Sequence, residues 1–439
     1  MWLEAIKNRS AFQKLFDFFG VSQKTSFDFS LILFSNVLNN GTNFIANIII
    51  ARMFGHEIFG LFSIAVNIAL TTLTFSEFGM NLTMVRLYKL HEKDWQKSKA
   101  ILIWNFYFKC MILSMLILTA LLFSGTLSDM LIQGNDKSSL VSMALIGGGI
   151  LGFWSYLKAF FQSFNMFKNI AYMTFIYAIL RLAFLSVLLL SAVSPNVELL
   201  FSGIYLVPVI LILLSGFLMQ ERRLNFTGSN RDELKGMSKE ILNYSKWVAI
   251  SGISYALVQK TIIFIVAYYN DIKQVSILSA GLLFTGIFSM INDSARQILF
   301  PKIAQFNLER INKYKTKIIK LVPVYFLLSL FLIGILSFFM YFSLGEKYKE
   351  SLTIFWISSI GVAITTGIGF YTIIMHTLQK PYIDSYINVG RFVLLLCGLF
   401  LIRTYGLTYI VMAYAVTLVA GEVLMALIVA RYIRKSNHE

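Results

Sequence analysis

The chain has 439 residues, of which 57% are hydrophobic and 14% charged, and its net charge is +16. Soluble domains contain about 25% charged residues, so this composition excludes an ordinary soluble globule. A bilayer core needs about 20 apolar residues per helical span, and a dozen spans would use nearly the whole chain. No room remains for a soluble catalytic domain, and the basic excess indicates membrane topology rather than nucleic-acid binding.

The N-terminal segment 1–27 is amphipathic, because Phe12, Leu15, Phe16 and Phe19 recur at helical spacing among basic residues. It fits a helix in the lipid headgroup region and an ordinary cytoplasmic helix equally well. After it, apolar runs of about 20 residues predict twelve membrane spans. They lie near 28–51, 56–79, 99–123, 138–160, 169–192, 195–220, 241–268, 272–296, 318–343, 351–374, 382–403 and 408–431.

The connections between these spans differ sharply in charge. Those on the side of the N-terminus hold 25 Lys and Arg, and those on the other side hold 6. Lys and Arg are enriched in cytoplasmic loops. The sequence therefore predicts that both termini are cytoplasmic.

Reporter fusions test this topology. A reporter that is active only in the periplasm is expected to fail at residues 90, 230, 310 and 439, and to work near 130 and 347, because the charge bias puts the first set in the cytoplasm. Activity at residue 230 would contradict the prediction, since it would place the central connection outside.

The two halves of the chain repeat one another. A shift of 216 residues brings Glu77 onto Asp293 and Arg86 onto Lys302. Because each repeat has an even number of spans, both have the same orientation in the membrane. The predicted fold is all-α and integral to the membrane, with two parallel-repeat six-helix bundles at 28–220 and 241–431. A cytoplasmic linker, 221–240, joins them, and 432–439 forms a cytoplasmic tail.

Polar side chains occupy single faces of the first two spans. They are Asn36, Asn40, Asn43 and Asn47 in the first span, and Asn67, Thr71, Thr74 and Asn81 in the second. Hydrocarbon offers these groups no hydrogen-bond partners. Two interpretations remain open: hydrogen bonds between helices, or a wet cavity that contacts a hydroxyl-rich substrate.

Basic residues inside the apolar runs predict a cationic cavity. Arg181, Lys260 and Arg391 lie deep, where each charge costs at least about 2.5 kcal/mol on insertion scales. Lys109 is intermediate in depth, while Lys246 and Arg296 lie near cytoplasmic span ends, as Lys158 does, where side chains can snorkel. Lys246 and Lys260 share one face of the seventh span. They could be successive steps of an anion path.

Acidic residues inside the spans are fewer. Glu77 and Asp293 lie near the cytoplasmic face, and Glu422 lies deeper. All three are candidates for ion coupling or gating, and Glu422 could alternatively pair with one deep cation. The chain has no GxxxxGK[ST] phosphate loop, and its four His have no metal-ligand spacing. Neither a cofactor nor a metal is therefore expected.

The stretch IIIARMFGHEIFGLFSIAVNI (48–68), followed by EFGMNLTMVR (77–86), resembles the signature of polysaccharide-unit flippases. These are the O-antigen exporters called Wzx, within the multidrug/oligosaccharidyl-lipid/polysaccharide (MOP) exporter superfamily. Arg52, Gly55, Phe59 and Gly60 are the matching positions. The resemblance implies two six-helix bundles around a central cavity in the bacterial inner membrane, and Arg52 joins the candidate cations.

The resemblance also implies a substrate. It is a short oligosaccharide on undecaprenyl pyrophosphate, moved from the cytoplasmic to the periplasmic leaflet without catalysis. The polysaccharide polymerase and the chain-length regulator would be pathway partners, and membrane lipids would surround the protein. Deep Lys and Arg suit phosphates, while Asn, Thr and Ser suit sugars.

Two alternatives remain. One is a cation-coupled multidrug exporter of the same fold, which usually has a buried acid in span one or seven, where this chain has Asn residues and Lys260. The other is a membrane-embedded polysaccharide polymerase or acyltransferase. Polymerases of such pathways usually carry a large periplasmic loop. This alternative is disfavoured because the longest outside connection here, 124–137, has an ordinary loop length.

Overall fold

A computed structural model describes residues 23–132, 137–191, 196–221, 231–303, 308–369, 381–403 and 405–436. The amphipathic segment around residues 12–19, with both of its interpretations, lies outside these ranges. All regular secondary structure within them is helical, as predicted. The helices are α1 Gln23–Glu77, α2 Met80–Leu90, α3 Trp95–Ile132, α4 Ser138–Ser163, α5 Phe167–Leu190, α6 Val197–Phe201, α7 Val207–Glu221, α8 Arg231–Tyr269, α9 Ile272–Ile303, α10 Leu308–Leu344, α11 Glu350–Ile368, α12 Pro381–Ile402 and α13 Leu407–Ser436.

Within the described ranges, eleven helical stretches are long and apolar enough to cross a membrane. The first of them contains two predicted spans, because α1 has 55 residues. At about 1.5 Å per residue, such a helix is about 80 Å long, against a hydrocarbon core of about 30 Å. The backbone of α1 leaves helical geometry at Gly55 (φ 79°, ψ −174°). The eleven stretches therefore account for the twelve predicted spans.

A second break separates α1 from α2 at the predicted cytoplasmic end. Phe78 and Gly79 both have positive φ, 43° and 65°. A Cβ on Gly79 would lie 2.8 Å from the Ser245 carbonyl oxygen and 2.9 Å from the Ala249 nitrogen. Position 79 therefore requires glycine for two reasons: its backbone conformation and the close approach of α8.

The helices before residue 222 (α1–α7) are called the first half, and those after residue 230 (α8–α13) the second half. In the first half α1 packs against α4 and α5, and in the second half α11 packs against α9 and α13. The halves meet where α9 and α8 pack against α1 and where α8 also packs against α2 and α3. Phe59, Phe62, Phe284 and Phe355 are fully buried in this core.

The outer faces of the molecule are apolar. Only 6% of the 18-residue apolar stretch of α3 is buried inside the protein, and only 11% of the corresponding stretch of α10. Their exposed side chains include Leu121, Leu122, Phe338 and Phe342. A soluble protein would bury such surfaces, so these faces are the ones that contact lipid.

The predicted linker 221–240 is partly helical. Helix α8 begins at Arg231, ten residues before the predicted seventh span at 241. The apolar run begins only near residue 241, but polar residues continue the same helix toward the N-terminus. The second part of the predicted linker 221–240 is therefore helical.

Candidate functional site

A polar cavity of about 470 Å³ lies between the two halves. The first half contributes Asn43, Asn47, Ser63 and Asn67 from α1, together with Tyr205. The second half contributes residues from α8, α9, α11, α12 and α13. Among the described lining residues, those that carry charge are Lys260, Arg391 and Glu422. Two cations and one anion give this described lining a net positive charge.

Arg391 and Glu422 form an ion pair in the cavity wall. The Arg391 Nη2 lies 2.9 Å from the Glu422 Oε1, and the two side chains are 5% and 8% exposed. A Cβ on Gly421 would collide with the Arg391 Nε. The guanidinium of α12 therefore lies directly on the backbone of α13, which only glycine permits at this position.

A chain of hydrogen bonds holds Arg391 from behind. The Arg391 Nη1 donates to the Asn388 Oδ1 at 3.2 Å, and the Asn388 Nδ2 donates to the Ser251 hydroxyl at 3.1 Å. The Ser251 hydroxyl in turn donates to the Asp384 Oδ2 at 2.6 Å. These bonds join α12 to α8, so the guanidinium is fixed in orientation.

Lys260 differs from Arg391 in having no counter-ion among the described residues. Its side chain reaches the cavity from α8, and among the described residues none lies within hydrogen-bond or ion-pair distance of its ammonium. Glu422, the deep acid that could have neutralised it, contacts Arg391 instead. Lys260 is half-buried, and an ammonium partly removed from water without an anion is costly, so this site favours an anionic ligand.

The first-half wall of the cavity is uncharged. The Asn43 Oδ1 accepts a hydrogen bond from the Tyr205 hydroxyl at 2.9 Å. The Asn47 Nδ2 donates to the Asn43 carbonyl oxygen at 2.7 Å, and the Asn67 Nδ2 donates to the Ser63 carbonyl oxygen at 2.8 Å. In the described part of the chain, the side-chain oxygens of Asn47 and Asn67 have no donor. They remain available as acceptors inside the cavity.

Tyr205 belongs to this wall although no sequence pattern indicates it. It lies in a π-helical turn, Ser202–Leu206, between α6 and α7. π-Helical turns are rare in proteins, and those that do occur are frequently found at functional sites. Arg181 lies behind the ring, with its guanidinium 5.4 Å from the Tyr205 centroid and 4.4 Å from that of Tyr177. The Arg181 Nη1 also donates to the Asn39 carbonyl oxygen at 3.2 Å, so Arg181 supports the wall without lining the cavity.

Three other predicted cations lie away from the cavity lining. Lys246 is exposed and donates to the Asn243 Oδ1 at 3.3 Å. Lys109 is buried and donates to the Ser76 carbonyl oxygen at 2.8 Å inside the first half. Arg52 donates to the Ser343 carbonyl oxygen at 3.2 Å, across the predicted periplasmic end. The sequence pattern predicts which side of a helix each of these side chains lies on. It does not show how far along the helix the cavity extends, so it could not exclude these three residues from the lining.

The remaining predicted site residues do not come together at the cavity among the described residues. Asn36, Asn40 and Thr71 are absent from the cavity lining, and Thr71 instead faces a smaller apolar pocket of about 300 Å³. Glu77 accepts hydrogen bonds from Ser155 and Asn81 within the first half. The side chains of the two remaining candidates, Asp293 and Arg296, lie outside the described part of the structure.

The halves are in contact at both ends of the cavity. At the predicted periplasmic end, the Ser276 hydroxyl lies 3.2 Å from the His56 Nδ1 and 3.1 Å from the Tyr348 hydroxyl, which donates to the Ala51 carbonyl oxygen. At the predicted cytoplasmic end, Arg86 lies 4.3 Å from the centre of the Tyr244 ring. The cavity therefore lies between two contacts made by different helices.

Comparisons with known proteins agree with this architecture. A family model described as polysaccharide biosynthesis protein matches residues 28–307, more than half of the chain. No curated protein matches the sequence significantly.

Solved transporters share the fold. An inward-facing multidrug resistance MATE family transporter of the MOP superfamily has a TM-score of 0.70 at 11% identity, covering 91% of this chain and 94% of its own. The lipid II flippase MurJ, in an inward closed conformation, also has a TM-score of 0.70, at 15% identity, with 91% and 87% covered. The MATE multidrug transporter DinF-BH has a TM-score of 0.65 at 13% identity, with 92% and 94% covered. The chain thus belongs to the family of polysaccharide biosynthesis proteins and has the fold of the MATE transporters and of MurJ.

Proposed function

We propose that the protein moves a lipid-linked oligosaccharide across the bacterial inner membrane. The substrate is a repeat unit of O-antigen or a related surface polysaccharide on undecaprenyl pyrophosphate, transferred from the cytoplasmic to the periplasmic leaflet. Family membership supports a role in polysaccharide biosynthesis. The apolar outer faces of the helices suit a substrate whose lipid tail stays in the bilayer.

The observation that carries this proposal is Lys260. Its ammonium lines a cavity in which Glu422, the one acid among the described lining residues, contacts Arg391. A pyrophosphate supplies the missing negative charge and accepts several charge-assisted hydrogen bonds. The same charge opposes the alternative of a multidrug exporter for cationic drugs, because a net positive lining repels them.

Transport by alternating access needs a contact that opens at each end in turn. The predicted periplasmic contact of His56, Ser276 and Tyr348 is one candidate gate, and the contact of Arg86 with Tyr244 at the other end is a second. In this scheme the two halves, approximately 28–220 and 241–431, act as the moving bundles. The polymerase and the chain-length regulator would receive the unit outside.

The periplasmic gate yields a test of conformational change. A Cβ on Gly60 would lie 2.5 Å from the Ile272 carbonyl oxygen of α9, so Gly60→Ala is expected to force the halves apart there. Overpacking of this kind costs about 1–3 kcal/mol. In a variant without Cys110 and Cys397, a cysteine at Ser63 should then react at least several-fold faster with an impermeant maleimide added from outside.

Gly41→Ala is the matched control. It lies on the same helix, and a Cβ there meets nothing within 4 Å. Labelling should match that of the parent. Equal labelling in the Gly60→Ala variant would show that this contact does not gate access.

Deletion of the gene tests the function itself. Surface polysaccharide should be lost, and the lipid-linked unit should accumulate on the cytoplasmic leaflet, because the later steps take place outside. Normal polysaccharide combined with new sensitivity to cationic drugs would instead support the multidrug exporter. Accumulation of single exported units without polymer would support the polymerase alternative.

A further inference from the structure

We propose that the cavity holds the two chemical parts of its substrate on different halves. The pyrophosphate binds to the second half, through Lys260 and Arg391, and the neutral sugars bind to the first half, through Asn43, Asn47, Asn67 and Tyr205. This inference rests on the proposed function and adds the orientation of the substrate and the residues that select its sugars.

The charged side chains of the described cavity lining all belong to the second half. Lys260 lies on α8, Arg391 on α12 and Glu422 on α13. The described first-half lining contains no ionisable side chain other than the Tyr205 phenol. Arg181, a first-half cation behind this wall, has its guanidinium over the rings of Tyr177 and Tyr205. A doubly charged pyrophosphate therefore has its electrostatic partners on one side of the cavity.

The first-half wall has the chemistry that recognises hydroxyl groups. Amide side chains provide donors and acceptors together, and sugar hydroxyls need both. The Asn47 and Asn67 side-chain oxygens, without donors among the described residues, can each accept a bond from a sugar hydroxyl. Tyr205 adds an aromatic ring and a hydroxyl oxygen that can accept a bond from a sugar hydroxyl. Arg181 and the bond to Asn43 hold this side chain in place.

This division has a consequence for selectivity. The pyrophosphate is common to every lipid-linked unit, so its contacts with Lys260 and Arg391 cannot distinguish one unit from another. In this arrangement the first-half wall selects among sugars, because a polar group there that is left without its partner opposes a wrong sugar. A bound substrate also lies across the interface between the halves, so it contacts both parts that move.

Binding measurements on the full-length protein in nanodiscs test the division. The two probes are undecaprenyl pyrophosphate and the same lipid with a neutral disaccharide of the host polysaccharide. The dissociation constants of both lipids are measured by native mass spectrometry. Their ratio, the constant for the bare lipid divided by that for the glycosylated lipid, gives the contribution of the sugars to binding. The parent protein should bind the glycosylated lipid more tightly.

The variants should separate the two walls. Asn67→Leu and Tyr205→Phe are each expected to lower the ratio about five-fold, the effect of one neutral hydrogen bond, with affinity for the bare lipid unchanged within two-fold. Lys260→Ala is expected to weaken both probes about ten-fold or more and to leave the ratio unchanged. A thermal unfolding scan shows whether each variant is folded, and Asn47→Ala replaces any first-half variant that is not.

Other results would overturn the division. Equal weakening of both probes by the first-half variants, no effect of these variants, or a changed ratio in Lys260→Ala would each contradict it. Equal affinity of the parent for the two lipids would overturn it while the proposed function stands. If the parent binds neither lipid, the proposed function fails and the division fails with it.

Discussion

Lys260→Ala is expected to lower export of the polysaccharide unit at least ten-fold while membrane abundance stays unchanged. A charge-assisted contact contributes about 1.5–3 kcal/mol, and its loss affects transport directly if the ammonium holds the pyrophosphate. Folding should not suffer, because no described side chain pairs with this ammonium. Surface polysaccharide and immunoblots of membrane fractions measure the two quantities separately.

Two further variants of this helix make the test specific. Lys260→Arg should retain part of the function, because the charge persists while the geometry changes. Lys246→Ala is the matched control: it removes a Lys from the same face of α8, but this side chain is exposed and bonded to Asn243. Its export should stay within two-fold of the parent. Full export by a stably inserted Lys260→Ala protein would remove Lys260 from the substrate path.

The helical membrane fold follows from sequence because its causes are local. Each span needs its own run of apolar residues, and the structure has the corresponding helices. The boundaries were less predictable. The predicted first and second spans form one helix with a kink at Gly55, and α8 starts ten residues before its apolar run. Hydropathy locates what is buried in lipid, whereas a helix continues into water wherever its backbone bonds allow.

The cavity residues were only partly predictable. Periodicity places Asn36, Asn40, Asn43 and Asn47 on one face of α1, but the cavity lining includes only the last two. A one-dimensional pattern gives the direction of a side chain, whereas the extent of a cavity depends on the helices opposite. The partners of long side chains are equally hidden. The Arg391 contact with Glu422 joins residues 31 positions apart and depends on the missing side chain of Gly421.

Tyr205 is not predictable from the sequence for a different reason. Aromatic residues are common throughout this chain, with 21 Tyr and 40 Phe, so one Tyr in an apolar run carries no signal. Its direction depends on the π-helical turn Ser202–Leu206, which changes the helical register locally. The bond to Asn43, 162 residues away, identifies it as part of the wall.

The ion pair between Arg391 and Glu422 yields the second large effect. Glu422→Gln or Arg391→Gln alone is expected to destabilise the protein by about 3–5 kcal/mol, because one buried charge loses its partner. Membrane abundance and the unfolding temperature of the purified protein should both fall. The exposed pair of Lys89 and Glu92, with 33% and 56% of their side chains exposed, is the control. Lys89→Met should cost about 0–1 kcal/mol.

The double variant Arg391→Met/Glu422→Leu separates stability from transport. Replacing a buried pair with apolar side chains of similar size is often neutral or stabilising, so abundance should return to near the parent level. Export should not return, because Arg391 is expected to hold the substrate phosphate together with Lys260 at the cavity wall. If the double variant exports normally, the pair serves only to join α12 to α13, and Lys260 alone provides the anion site. If abundance stays low, loss of the bond from Arg391 to Asn388 disrupts the packing of α12 on α8.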